Sequence, residues 1–213
     1  MGYLGYAGQD LHAEMVARLE KAVAKCASFA PKGTFAVFED GRGLERVLVG
    51  EDVARHVEGA KAVALLAVTL GHESERVIRR ETALSAADGM LVDAMASSMA
   101  EAAVEALHAE VAAWARGRGL RAGGRFSPGY GDMPLSVQPA LLDALDAARR
   151  LGVSVTDAFM LTPAKSVTAV VGLFDPEYAP QTQLSAQDCE TCTMAGVCLL
   201  KQQGRTCHGS RSE

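Results

Sequence analysis

Two stretches of the chain carry residue types at spacings that can do chemistry. The first is RFSPGYGDMPLS, Arg125 to Ser136. Its glycines and prolines let a backbone approach a ligand closely. Arg125 offers a planar fork matched to a carboxylate, and Tyr130 adds an aromatic face and a hydroxyl. The plain alternative for the same residues is a loop connection with a solvated arginine. The second stretch is the C-terminal run in which Cys189, Cys192, Cys198 and Cys207 follow the spacing C-x2-C-x5-C-x8-C, with His208 adjacent. Four thiolates so placed complete a tetrahedral zinc site or hold an iron-sulfur cluster, and both metals take such a set. Cys26 falls on the apolar face of a helical pattern and reads as core. His72 and His108 have no partner at metal-ligand spacing, and His12 reads as an exposed helix residue.

The rest of the sequence bounds what these residues can serve. With 213 residues, 49% of them hydrophobic, the chain can bury the core of one globular unit. Formal net charge is -5 and the basic residues are scattered, so no nucleic-acid partner is expected. The apolar run Ala62 to Leu70 is far shorter than a bilayer span, and the opening MGYLGYAGQD has neither a basic nor an apolar signal region. A cytoplasmic protein without a membrane partner is expected. Disulfides are rare in that compartment, which directs the clustered cysteines toward metal.

Positioning falls to the patterned elements. Leu11, Met15, Leu19, Val23 and Cys26 recur at helical spacing, with Asp10 placed to cap the helix. TFAVFEDGRGLERVLVG reads as two β-rich runs joined by a hairpin turn at Asp40 to Gly43. A short helix near Glu51 to Val57 follows, and KAVALLAVTLG, lacking polar alternation, reads as a strand buried on both faces. Ser74 to Gly117 predicts two helices, the second rich in alanine. Leu135 to Leu151 reads as helix, with Ser136 as N-cap and Gly152 as the stop. Val153 to Met160 and Lys165 to Phe174 read as strands. The strands lack regular βαβ alternation, which predicts an α+β fold with a mostly antiparallel, twisted sheet covered by helices and an irregular Cys-rich tail. The division expected is a body over residues 1–175 and a metal-binding tail over 176–213.

The turn also carries a likeness. RFSPGYGDMPLS, followed by GVSVTDAFMLTPAKSVTAVVGLF, resembles the C-terminal reactivation, or activation, domain of cobalamin-dependent methionine synthase. That family's signature is Arg, a short spacer, Gly-Tyr and Pro, then a TESF…P…SV.G stretch. AEAAVEALHAEV upstream looks like the family's helix before the loop. YLGYAGQDL, VTLGHESERVIRR and the cysteine-rich end are similar to small stand-alone relatives.

The resemblance implies a domain that binds S-adenosylmethionine and supports reductive methylation of inactive cob(II)alamin. By position, Arg125 is implied to hold the ligand's carboxylate and Glu101 its ammonium group. Ser127, Pro128, Gly129, Tyr130 and Pro134 would build the loop, and Tyr178 lies where the family places tyrosines after its last strand. The family's acidic residue near the start of the domain finds no counterpart. The chain would be a component of a cobalamin-dependent methyltransferase acting in trans. Its cobalamin would arrive on a partner, either a methionine synthase lacking its own activation domain or another corrinoid protein, with an electron donor besides. Two other roles fit the same text: a non-catalytic partner of a corrinoid protein, or an iron-sulfur redox subunit whose tail is the working part.

Overall fold

A computed structural model of the protein describes residues 10–39 and 41–178. Its centre is an antiparallel sheet of four strands in the order β1 (Lys32–Glu39), β2 (Ala62–Thr69), β6 (Ser166–Phe174), β3 (Arg121–Phe126). β2 is buried along its whole length. A strand with no polar face needs cover on both sides, and two layers supply it. On one face the 31-residue helix α4 (Ala86–Arg116) lays Val104, Leu107 and Val111 against Ala64, Leu66, Ala169 and Val171. On the other, Val63, Leu65, Ala67 and Val170 meet α2 (Glu51–His56), α5 (Gln138–Ala144) and α6 (Ala147–Leu151) through Val53, Leu141, Leu142 and Ala147. α1 (Ala13–Cys26) and α3 (His72–Leu84) pack on the first half of α4 around Cys26, Leu70, Leu91 and Ala96. The α+β class and the predominantly antiparallel sheet thus match the sequence reading.

Small residues set the approach of α4 to its neighbour. A side chain on Gly89 would collide with Thr82 of α3. Ser85 starts α4 by accepting a hydrogen bond from the Asp88 N–H at 3.3 Å.

Several local expectations are corrected. The hairpin after β1 does not form: Gly41 and Gly43 do turn the chain, at φ 63 and 83, but Leu44 to Val49 then runs in helical turns, with Leu48 N donating to Leu44 O at 2.8 Å. Leu44, Val47 and Leu48 stand at i, i+3 and i+4, and that period puts them together on the core. β1 pairs with β2 instead, in the register Lys32 to Thr69 through Glu39 to Ala62. Val153 to Met160 is not one strand: β4 (Ser154–Val155) and β5 (Leu161–Thr162) make a separate two-stranded ribbon. Leu135 to Leu151 begins as a 3-10 turn, Leu135–Val137, and breaks at Asp146, which sits at φ 50. Ser136 lies inside that turn and caps nothing, since the N-cap position of α5 is Val137. α1 likewise starts from His12 rather than Asp10. Gly152 does end α6, at φ 69. No described helix is long and apolar enough to cross a membrane.

Candidate functional site

β3 is the strand that sequence patterning missed, and it carries Arg125. Its pairing with β6 slips between Ala122, opposite Leu173, and Arg125, opposite Val171, so Gly123 and Gly124 together face Gly172. The extra residue makes a bulge, and bulges re-aim the side chains beyond them. Glycine is required here by close approach: a Cβ on Gly123 would lie 2.9 Å from the Phe174 ring and 3.3 Å from Gly172 O. Two histidines answer the two glycine carbonyls. His108 of α4 donates from Nε2 to Gly123 O at 2.9 Å, and His56 of α2 donates to Gly124 O at 3.0 Å.

Past the bulge the side chains separate. Phe126 is buried in the core, 5.2 Å from the His56 ring and 6.2 Å from Tyr130. Arg125 turns toward α4, where Nη1 donates to Glu105 Oε2 at 2.7 Å and approaches His108 Nδ1 at 3.4 Å. Its side chain is 21% exposed against 69% for Glu105. The guanidinium beside it holds the Glu105 carboxyl below the ordinary carboxylate range, while burial pushes the His108 imidazole below its usual value. Among the described residues, Nε and Nη2 of Arg125 make no hydrogen bond, and its contacts there all fall on Nη1.

The loop after β3 is built by its own backbone. Tyr130 N donates to Ser127 O at 3.0 Å, Met133 N to Tyr130 O at 3.0 Å, and Gly129 N to Met133 O at 2.8 Å. Gly129 and Gly131 take φ 93 and 51, values that other residues adopt at a cost. Pro128 and Met133 are buried and anchor the loop, whereas Gly129, Tyr130 and Pro134 are exposed. Asp132 ties the loop to α2: its carboxylate accepts from Glu51 N at 2.6 Å and Asp52 N at 3.0 Å. Those bonds favour the charged form and lower the pKa of Asp132.

The sequence candidates therefore divide. Arg125 and the loop Ser127 to Pro134 are contiguous and rigidly held. Glu101 is exposed on α4, one turn ahead of Glu105, and the carboxylate that contacts Arg125 is that of Glu105. Tyr178 stands at the opposite end of β3: its ring stacks on Phe174 at 5.3 Å, its carbonyl accepts from Arg121, and its hydroxyl donates to Glu58 O at 3.0 Å. Cys189, Cys192, Cys198 and Cys207 lie outside the described residues. Among the described residues, no group of three or more His, Cys, Asp or Glu could hold a metal ion, and Cys26 is a buried thiol pushed up to about 11 by burial. A separate cleft of about 480 Å³ lies beside Trp114, with Arg118 stacked 3.8 Å above its ring, and shares no residue with the Arg125 site.

Glu105 and His108 were overlooked because a charged helix face normally reads as solvated. The signal was nonetheless present: Glu101, Glu105 and His108 stand at i, i+4 and i+7, one face of a helix.

What such a site can do is hold a small zwitterion. It offers half of a guanidinium fork, a face of helix carboxylates and a glycine-shaped loop. Comparison with known proteins narrows the family. No curated protein matches the sequence. A solved structure, the MetH reactivation domain bound to AdoHcy, has the same fold, with a TM-score of 0.60 at 18% identity over 83% of this chain and 73% of that one. Residues 49–178, which contain α2, the bulged strand, the loop and β6, match the family described as "Vitamin B12 dependent methionine synthase, activation domain". With more than half of its length so matched, the chain belongs to the activation-domain family of vitamin B12-dependent methionine synthase.

Proposed function

We propose that the protein binds S-adenosylmethionine at Arg125 and the Ser127 to Pro134 loop and supports reductive methylation of cob(II)alamin held by a corrinoid protein, acting in trans. The observation that carries this reading is the Nε and Nη2 edge of Arg125, which makes no hydrogen bond among the described residues and is steadied at Nη1 by Glu105. A carboxylate docks on such an edge through two parallel hydrogen bonds. Glu101 and the carboxylate face of α4 suit the ligand's ammonium and sulfonium charges, and Tyr130, exposed at the loop tip, offers a face for its flat base. The solved fold neighbour, whose structure contains AdoHcy, lends support by likeness of fold.

The partner's cobalamin would supply the methyl-accepting metal, after gaining one electron from a donor outside this chain, and S-adenosylhomocysteine would be the leaving group. The chain's own part is positioning: it aligns a sulfonium methyl, which needs neither acid nor base, so no catalytic proton carrier is assigned. The tail thiolates Cys189, Cys192, Cys198 and Cys207 are proposed to bind one zinc ion or iron-sulfur cluster. Metal analysis of the anaerobically purified chain, with and without Cys192→Ser, tests that assignment; a metal-free wild-type chain removes it.

The ligand assignment is tested by calorimetry with S-adenosylmethionine. Arg125→Ala should abolish binding with the circular dichroism spectrum unchanged, and unaltered affinity refutes the site. The activity is tested by mixing the protein, S-adenosylmethionine and a reductant with a methionine synthase lacking its own activation domain, following the cobalamin spectrum. A spectral change that does not depend on this protein rules out the role.

A further inference from the structure

Both ring nitrogens of His108 are engaged, and their partners fix its proton. Gly123 O can only accept, so Nε2, 2.9 Å away, carries the hydrogen. Arg125 can only donate, so Nδ1, 3.4 Å from Nη1, presents its lone pair. Both contacts coexist only in the neutral Nε2–H tautomer. A second proton would put an N–H on Nδ1, directly facing a guanidinium that is never deprotonated. The surroundings agree in direction: burial, first, and the Arg125 charge lower the imidazole's pKa, against the Gly123 carbonyl and Glu105, which favour the cation.

The following charged and titratable groups surround this contact among the described residues. Glu105 and Glu101 lie on α4 and Arg125 on β3, while His56 from α2 caps the neighbouring Gly124 carbonyl. Glu105 and His108 together occupy Nη1 and, among the described residues, leave the opposite edge of the fork without a hydrogen bond.

We propose that His108 is a positioning residue for Arg125, whose neutral imidazole and the Glu105 carboxylate hold the guanidinium with its Nε and Nη2 edge presented to an amino-acid carboxylate, so that protonating His108 releases the fork and weakens capture. The inference rests on the reading that Arg125 binds the carboxylate of S-adenosylmethionine. His108 itself does not touch the ligand. The proton that switches the site comes from solvent and is returned to it, and no bond other than N–H is made or broken.

The test has two arms. The first measures affinity for S-adenosylhomocysteine by calorimetry across pH for the wild-type protein, His108→Asn and His108→Ala. Wild-type affinity should fall about tenfold as pH drops through the titration of His108, which lies below the ordinary imidazole value, because one charge-assisted contact is lost. Asparagine places an acceptor near the Nδ1 position and does not titrate, so His108→Asn should bind nearly as well and lose the pH dependence. His108→Ala should bind weakly at every pH. A wild-type profile that persists in His108→Asn, or tight binding by His108→Ala, overturns the proposal. The second arm needs no ligand: nitrogen NMR of the wild-type imidazole should show the Nε2–H tautomer, and Arg125→Gln should raise its titration point. An Nδ1–H tautomer overturns the proposal even if binding is normal. Absence of wild-type binding at all pH values, with the Nε2–H tautomer observed, instead removes the ligand reading of Arg125.

Discussion

Asp52 and Asp132 cap each other's backbone. The Asp132 carboxylate accepts from Asp52 N at 3.0 Å, and Asp52 Oδ2 accepts from Asp132 N at 3.1 Å, across 80 positions of sequence. The exchange locks the Ser127 to Pro134 loop onto the first turn of α2, where a carboxylate also meets the positive end of the helix.

Breaking this exchange should loosen the loop before it unfolds the domain. Gly131 is the sharpest probe, because its φ of 51 disfavours a side chain and an added Cβ would run into the Asp52 carboxylate. Gly131→Ala should cost about 1–3 kcal/mol in urea denaturation and weaken ligand binding more than tenfold. Asp132→Asn keeps one acceptor oxygen and should have a milder effect of the same sign on both readouts. Ligand affinity untouched by Gly131→Ala would separate the loop from the site.

How legible this was varies by element. β2 was readable because Ala62 to Thr69 is a short run with β-branched residues and no polar alternation, which suits a strand covered on both faces. The loop was readable from its glycines, prolines and arginine, types whose use is local. β3 was not: Arg121 to Phe126 contains two adjacent glycines that look like a breaker, and only pairing with β6, some 50 residues on, makes them a bulge. The hairpin expectation failed for the converse reason, since two glycines at positive φ imitate a hairpin turn while β1 finds its partner in β2. Glu105 looked like a solvated charge until its partner, 20 residues away, arrived from β3. In each case the missing information was a contact distant in sequence.

The bulge is a tight packing site. A Cβ on Gly172 would lie 2.5 Å from the Phe174 ring, and that ring cannot easily yield, because Tyr178 stacks on it with planes 3° apart. Gly172→Ala should therefore destabilise the domain by about 1–3 kcal/mol, an overpacking cost. Thermal unfolding checks it, and adding Phe174→Leu should restore part of the loss. A neutral Gly172→Ala means the strand can slide without penalty.

Acid should weaken the fold in two stages. His108 is held below its ordinary value of 6.5, so between the folded and unfolded values the unfolded chain binds more protons and stability rises with pH. Its contribution is fully present above about 6.5 and is lost as pH falls through the folded value. Glu105 and Asp132, lowered from 4.5 and 3.8 by the hydrogen bonds they accept, carry the same sign at lower pH. Stepped urea titrations should thus show a decline beginning near neutral pH that His108→Asn removes, and a second, steeper one in the carboxyl range that it leaves in place. An identical first stage in His108→Asn would assign that decline to another group.

Thr168 and Gln138 join the sheet to the helix that follows the loop. Both are buried, and the Thr168 hydroxyl donates to Gln138 Oε1 at 2.8 Å. Removing one partner strands the other in an apolar setting, so Thr168→Val should cost about 1–3 kcal/mol although the side chain keeps its shape. Gln138→Leu alone should cost a similar amount by stranding the hydroxyl. The double variant removes both polar groups together and should recover much of the loss, giving a coupling of about 0.5–3 kcal/mol in a double-mutant cycle. Strict additivity would mean that each group already has a second partner. The loop itself ends at this helix, so Thr168→Val should also reduce ligand affinity, and the double variant should restore it in step with stability.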